Sequence, residues 1–491
     1  MKEILKATVK KEVLIMIVLL SVALRFIAIN QSLWLDEAIG ALVVKNQSYF
    51  EILTRFPRVD NHPPLYYLTL KAWTNIFGYS EIALRSLSVL FGAGTVFLTY
   101  KIGFLLKKNS NFAFFAALIL ATSQFHIYYS QEARMYSQAA FFASLAIYSF
   151  IFLVKKDTKK HFISPWIVFS LAITGLVFTD YVPVFMLPVF WIYAIYKRKK
   201  WEWWVNFLSS HIVLVLIGIF WRPIFLIQSE NGRALLQTLP AWRELAGGAT
   251  LRNLGLVWTK FSFGRISFMD KTFYYLLLLV LSIPFSAFLI RAWSRRKGVE
   301  IIWFWFFIPL TLGFLASFSL PIFIYFRFLY VMPAFILLIV WGIENFKKMR
   351  KIFLTFMILI NAGSLLVYAI NPYQQREKWR QAVEFIQSEA NDGDIVLFTN
   401  PEPFAPYQWY SSRSILSFGA TDSISANKVE TLERTSLLVE NASGIYYFEY
   451  LNDLHDPNSY VLEAISGSVF EKASVSDFVG VGHVYYYSRP N

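Results

Sequence analysis

Three short stretches carry residue types that could do chemistry: "SLWLDEA" with Asp36 and Glu37, "NHPPLYY" at 61–67 with His62, and "FHIYYSQEARMYS" at 125–137 with Glu132 and Arg134. Arg85 follows in "SEIALRSLSVL". A carboxylate can deprotonate an acceptor hydroxyl, and arginines can hold a phosphate through charge-assisted forks. An ordinary glycosidic leaving group would need a paired acid and base. A phosphate leaving group needs only one base plus cations, because a phosphate monoester has a second pKa near 6. Each stretch also has a plainer reading: Asp36 as the N-cap of a loop helix, His62 as the shaper of a proline turn, Glu132 and Arg134 as a solvated turn. Adjacent residues do not share a helix face, so Asp36 and Glu37 are expected to differ in role.

The elements that must position these residues are membrane helices. The 491 residues are 56% hydrophobic and 16% charged, too apolar for a soluble protein. A bilayer core needs about 20 apolar residues in a helix. Apolar runs fall near 12–29, 82–100, 111–128, 138–154, 163–179, 182–196, 205–221, 272–290, 301–320, 322–343 and 352–370. Basic clusters at 107, 155, 197, 291 and 346 all fall between alternate runs, on the side of the basic N-terminus. The positive-inside rule then predicts about eleven spans, the N-terminus cytoplasmic and everything after 371 outside. This accounts for the net charge of +14 better than a nucleic-acid partner does. There is no cysteine, which excludes disulfides and thiol nucleophiles.

The stretch "PPLYYLTLKAWTNIFG" at 63–78 is short and holds Lys71. If it crossed, every later basic cluster would move outside, so it is expected to be a juxtamembrane or re-entrant helix. Residues 30–81 then form a first outside loop holding the Asp–Glu pair. Arg25 lies near the outer end of the first span, where it faces the bundle interior or snorkels to the headgroups. A second outside loop, 222–271, carries five arginines and two lysines against three acids, against the positive-inside trend. Arg222, Arg233 and Arg243 are its candidate phosphate contacts, and Gly247-Gly248 its hinge if it acts as a lid; a connector resting on the membrane is the alternative. Past 371 the balance inverts, with 8 Lys/Arg and 16 Asp/Glu. There, Trp379, Val383 and Ile386 repeat at helical spacing, "NDGD" reads as a turn and "IVLF" as a buried strand, with further strands in "GIYYFEYL" and "FVGVGHVYYYS". The expectation is a transmembrane domain over 1–370 and a small outside α/β domain over 371–491.

"LWLDEA", "NHPPLYY", "RSLSVLFG", "YYSQEARMYSQ" and the later "FRFLYVMPAF" resemble the GT-C glycosyltransferases of the protein-mannosyltransferase and 4-aminoarabinose–lipid A transferase type, and more closely the prokaryotic RgtA/B/C/D-like relatives. The resemblance is strong over 33 to about 137 and weaker near 326–334. It implies an α-helical polytopic membrane protein of the GT-C fold in the cell (plasma) membrane. It also implies transfer of a sugar, with inversion, from a polyprenyl-phosphate donor to a hydroxyl of a lipid, polysaccharide or protein outside. On that basis Asp36 is the candidate base, Glu37 its motif partner, and Glu132 the second acid, which would orient the acceptor or bind a metal. Arg85, Arg134, Arg327 and Arg222 are candidate donor-phosphate ligands, and His62, Tyr66 and Tyr136 are assigned to substrate binding. A divalent metal on Asp36, His62 and Glu132 is compatible with their chemistry, but no ligand spacing specifies one. No "WWDYG"-like segment occurs, which argues against transfer of a whole oligosaccharide to asparagine. The main rival, a transporter or flippase for lipid-linked sugars, predicts internal repeats and charges within spans, and no repeat is visible.

Overall fold

The computed structural model describes residues 2–155 and 163–490, with side chains described from 12 onward and again from 165. The charges of the basic N-terminus before residue 12 and of 156–160 lie outside the described residues. Helix dominates. All eleven apolar runs coincide with helical segments, from Lys2–Arg25 to Arg350–Ile370. By length and apolarity, six described helices are able to cross a membrane: Glu81–Lys107, Tyr136–Lys155, Trp201–Thr238, Lys271–Ser294, Tyr325–Glu344 and Lys347–Ile370. A bent pair, Ser110–Thr122 and Gln124–Ser130, makes a seventh, and Pro165–Thr179, Val182–Tyr196 and Glu300–Ala316 are shorter apolar helices. In the apolar windows of Trp201–Thr238 and Lys271–Ser294, only 11% and 17% of residues are buried by protein, so lipid must cover the rest. This is a multi-pass membrane protein.

The segment at 63–78 forms a helix, Leu65–Phe77, of 13 residues, too short to span. The loop 222–271 is mostly helical: Ile212–Thr238 runs far into it, followed by Trp242–Ala246 and Leu251–Phe263. Gly247 is there for close approach. A Cβ on it would meet the Phe323 carbonyl and Ile324 at 2.8 Å, and its φ of 97° is in the region that favours glycine.

The chain divides into two compact units. The first comprises 1–29, 49–228 and 246–370 and holds the helices able to cross. Arg25 is fully buried in it, which settles its orientation toward the bundle interior. Its guanidinium donates to the Ser21 carbonyl at 2.8 Å and Oγ at 2.6 Å and meets His126 Nδ1 at 2.5 Å. Gly92 makes room for this group, since a Cβ there would lie 2.9 Å from Arg25 Nε.

The second unit comprises 30–48, 229–245 and 371–491. Its centre is a five-stranded sheet of order β2-β1-β3-β5-β4: β1 Ile395–Phe398, β2 Leu416–Gly419, β3 Gly444–Phe448, β4 Glu471–Phe478 and β5 Gly482–Ser488. β1 runs parallel to β2 and β3, with Ile395 beside Leu416 and Ile445, and β5 is antiparallel to β3 and β4. β1 and β3 are buried throughout, as a two-sided parallel core requires. One face carries Val396, Phe398, Tyr446 and Phe448 beneath the helix Trp379–Glu389, whose Trp379, Val383 and Ile386 are fully buried. The other carries Ile395, Leu397, Ile445 and Tyr447 against Val439, Val461 and Ile465.

Candidate active site

Within the first unit the "QEARMY" motif sits in a turn made by a broken helix. Ser110–Thr122 and Gln124–Ser130 meet at 61° across Ser123, and the chain turns again through 131–135 before Tyr136–Lys155 begins. The turn is buried: Gln131, Glu132 and Arg134 are 1%, 2% and 5% exposed, which removes the solvated-turn reading. Gln131 ties it down, donating to the carbonyls of Arg25 at 2.9 Å and Ile27 at 2.5 Å and accepting from Tyr368 at 3.1 Å. Ser137 donates to the Ser88 carbonyl at 3.0 Å. These bonds join the turn to the first and last apolar helices of the unit and to Glu81–Lys107. Such satisfaction is what allows irregular, charged backbone at this depth.

His62 lies in the turn before Leu65–Phe77. Its backbone N–H donates to Asp60 at 3.0 Å, and its Nδ1 stands 3.2 Å from both Asp60 carboxylate oxygens. Gln228, buried in the helix Ile212–Thr238, donates to the Asp60 and His62 carbonyls at 2.9 Å each and accepts from Tyr181 at 2.5 Å. Burial pushes the Asp60 carboxyl up, but the His62 ring, its hydrogen bonds and the Arg134 charge together hold it below the usual carboxylate range. Arg134 is thus in electrostatic reach of Asp60, and its Nη1 donates to Tyr67 at 3.4 Å. Tyr66, fully buried, packs edge-on to Tyr67 at 5.7 Å. Tyr136 packs on Tyr129 at 5.7 Å and Phe326 at 5.2 Å, and Tyr129 in turn feels the charges of Glu132 and Arg265.

Tyr66, Glu132, Arg134 and Tyr136 are thus buried, and half-buried His62 reaches them through Asp60, which feels the Arg134 charge. Arg85, 1% exposed, gives one nitrogen to the Ile29 carbonyl at 2.7 Å. Arg327 is half-buried and forms no side-chain hydrogen bond or ion pair among the described residues. Arg222, Arg233 and Arg243 are exposed on their helices. Three groups that the motifs did not single out join the site. Asp60 was signalled only by its place two residues before His62. Lys260 and Arg265 sit in the basic loop: Lys260 Nζ donates to the Ile266 carbonyl at 3.1 Å, and the Arg265 guanidinium lies 4.3 Å over the Tyr128 ring. Burial pulls Lys260 down to about 7, with the like charges of Arg265 and Lys271 adding to it. Buried cations in this number suit an anionic ligand.

Asp36 and Glu37 belong to the second unit, in the first turn of the helix Leu35–Asn46. Trp34 is the N-cap residue, so Asp36 stands inside the helix rather than capping it. Asp36 is half-buried and Glu37 fully buried. The helix rests on the C-terminal domain: Leu35 packs against the cluster around Trp379 and Phe398, and Lys45 lies 5.0 Å over Trp409. Among the described residues no group of three or more His, Asp or Glu side chains converges to hold a metal.

The arrangement has the fold of the GT-C glycosyltransferases. ArnT from Cupriavidus metallidurans matches over 97% of this chain and 99% of its own, with a TM-score of 0.57 at 10% identity in its apo state. Bound to undecaprenyl phosphate, the same protein matches with 0.60 at 11%. The oligosaccharyltransferase AglB from Archaeoglobus fulgidus, in complex with an inhibitory peptide and a dolichol-phosphate, matches with 0.53 at 12%, over 98% of this chain and 74% of its own. In sequence, residues 61–221, about a third of the chain, match the dolichyl-phosphate-mannose-protein mannosyltransferase family. No curated protein matches in sequence. The resemblance carried by the motifs is thus shown independently, by a family match that starts within "NHPPLYY" and by a fold shared along nearly the whole chain.

Proposed function

We propose that the protein transfers a sugar from a polyprenyl-phosphate donor to an acceptor hydroxyl at the outer face of the membrane, with inversion. The observation that carries this is the buried turn at 131–135. Its acid and arginine are held between helix ends in a fold that, in ArnT, has been seen with undecaprenyl phosphate. The acceptor oxygen attacks the anomeric carbon as the carbon–oxygen bond to phosphate breaks, and the hydroxyl proton passes to Asp36. Polyprenyl phosphate leaves as a monoester that needs no protonating acid. Arg134, with Lys260, Arg265 and Arg327, stabilises the charge developing on the phosphate; Arg85 and Arg222 hold lesser shares, the second from the exposed helix. Glu132 orients the acceptor, Glu37 supports Asp36 from within its helix, and His62, Tyr66 and Tyr136 contact the sugar. A lipid, a glycan and a protein hydroxyl all fit this chemistry as acceptors.

The test is to reconstitute the protein in liposomes with undecaprenyl phosphate carrying mannose, glucose, galactose or 4-amino-4-deoxyarabinose, together with a lipid, a glycan or a serine-containing peptide as acceptor, and to follow both free undecaprenyl phosphate and the sugar. Release of the carrier, with the sugar appearing in product of opposite anomeric configuration, is expected for one donor. Movement of an intact donor across the bilayer without release would replace this reading with a flippase.

A further inference from the structure

In the first unit, the short link between the helices Pro165–Thr179 and Val182–Tyr196 is bonded on three sides to elements that carry site residues. Thr179, fully buried, accepts from Gln138 at 2.9 Å, in the helix that Tyr136 begins, and Gln138 accepts in turn from Thr69 at 2.8 Å. The Tyr181 hydroxyl accepts from the Trp221 indole at 2.7 Å and donates to Gln228, the side chain that holds the Asp60 and His62 carbonyls. The Val182 carbonyl accepts at 3.4 Å from the hydroxyl of Tyr330, on the segment Tyr325–Val331 that carries Arg327. Between these committed neighbours stands Asp180, 5% exposed. Its Oδ1 accepts from the Val182 backbone N–H at 3.2 Å, an Asx turn that shapes the link. Among the described residues its carboxylate has no other hydrogen bond and no ion pair. A carboxylate offers about four acceptor positions, and burying one with most of them empty is costly. The Asp180 charge acts on the hydroxyls of Tyr181 and Tyr330, and the Asp60 charge on that of Tyr181.

We infer that Asp180 is a specificity-determining residue for the donor, accepting a hydrogen bond from a hydroxyl or amino substituent on the ring of the transferred sugar. This rests on the reading of the site as one for a polyprenyl-phosphate sugar. A carboxylate repels the phosphate but forms a charge-assisted bond with a sugar hydroxyl or amine. The sugar is joined directly to the phosphate, so its ring must lie beside the phosphate ligands. Asp180 is placed for that: Tyr330 ties its link to the segment of Arg327, and Gln228 ties it to the turn whose Asp60 feels the Arg134 charge. A buried acceptor built to meet a sugar substituent also rejects the analogue that lacks it, because the carboxylate is then left without its partner.

The experiment uses the full chain in lipid, with whichever undecaprenyl-phosphate sugar the wild type turns over and a set of analogues each lacking one ring hydroxyl or amine. Asp180→Asn keeps the oxygen that accepts from Val182 and replaces the other by an N–H donor. The melting temperature should therefore hold while kcat/KM for the parent donor falls at least about tenfold. One analogue should lower the wild-type kcat/KM by a similar factor. With that analogue Asp180→Asn should cost less than about twofold more, because the contact is already gone, whereas its loss should persist with the other analogues. Asp180→Ala, which gives up the Val182 bond as well, should melt at a lower temperature. Should Asp180→Asn fail to fold, Asp180→Ser, whose hydroxyl can accept from Val182 in the same kind of turn, decides. Wild-type kcat/KM in the folded variant, or an equal loss with the parent donor and every analogue, would overturn the inference. If the wild type releases carrier from no donor at all, the transferase reading falls, and this assignment with it.

Discussion

Replacing Lys260 by methionine should make the ligand-free protein more stable and less able to hold its donor. Lys260 is 8% exposed, its one side-chain hydrogen bond among the described residues goes to the Ile266 carbonyl, and it has like charges for neighbours. Its proton affinity drops from 10.5 to about 7. At about 1.4 kcal/mol per tenfold change, this is a cost of about 4 kcal/mol at pH 7. The sign follows from the depressed value. The unfolded chain binds the proton more tightly, so the penalty is fully present below about pH 7 and disappears as the pH rises toward 10.5. Methionine fills similar volume without the charge. With ~2.1 cal/mol/K per residue of unfolding entropy, about 4 kcal/mol corresponds to roughly 4 °C for a chain of this length melting as one unit. The assay is thermal unfolding in lipid from pH 6 to 9. Wild type should gain stability between pH 7 and 9, and Lys260→Met should be the more stable at pH 7 and flatter in pH. Its donor KM should rise at least about tenfold, the worth of one charge-assisted bond. A methionine variant with wild-type stability and the same pH slope would refute the burial argument. One that is stabilised with unchanged KM would remove Lys260 from the phosphate site.

Asp60→Asn should leave the protein folded but free the His62 ring, lowering kcat/KM about tenfold; steady-state kinetics beside a melting curve checks this. Gln131→Leu strips donors from two buried carbonyls and the acceptor from Tyr368, a loss of about 1–3 kcal/mol for each group left unpaired, visible as a lower melting temperature. Gly342→Ala would push a Cβ into the Phe288 carbonyl, whose carbon would lie 2.7 Å away, and because backbone cannot yield as a side chain does, yield of folded protein should collapse on size exclusion.

What could be read from sequence was what physics makes expensive. Charges beside apolar runs stand out because they are costly at membrane depth, so "DEA", "NHPP" and "QEAR" were visible, and helical spacing gave Trp379, Val383 and Ile386 as a buried face. The strands β1, β3 and β5 announced themselves as apolar or aromatic runs. β2 and β4 did not: β2 is a four-residue edge strand of which only Gly419 is buried, and β4, "EKASVSDF", is an edge strand whose exposed polar side chains are what an unpaired edge needs. Asp60 was not singled out, because an Asp before a proline turn is common, and only the structure shows its carboxylate against His62. Lys260 was hidden because burial of one lysine in a basic loop leaves no pattern in spacing. The loop 222–271 read as a lid or a connector resting on the membrane, because its arginines and glycines mask the helical continuity of Ile212–Thr238.

In the proposed reaction the Asp36 carboxylate takes the acceptor proton while a polyprenyl phosphate leaves. This is tested most directly by measuring carrier release and donor binding side by side in wild type and Asp36→Asn. Asp36→Asn should bind donor as wild type does and release at least about a thousandfold less undecaprenyl phosphate. Release at the wild-type rate by a folded Asp36→Asn protein would contradict it.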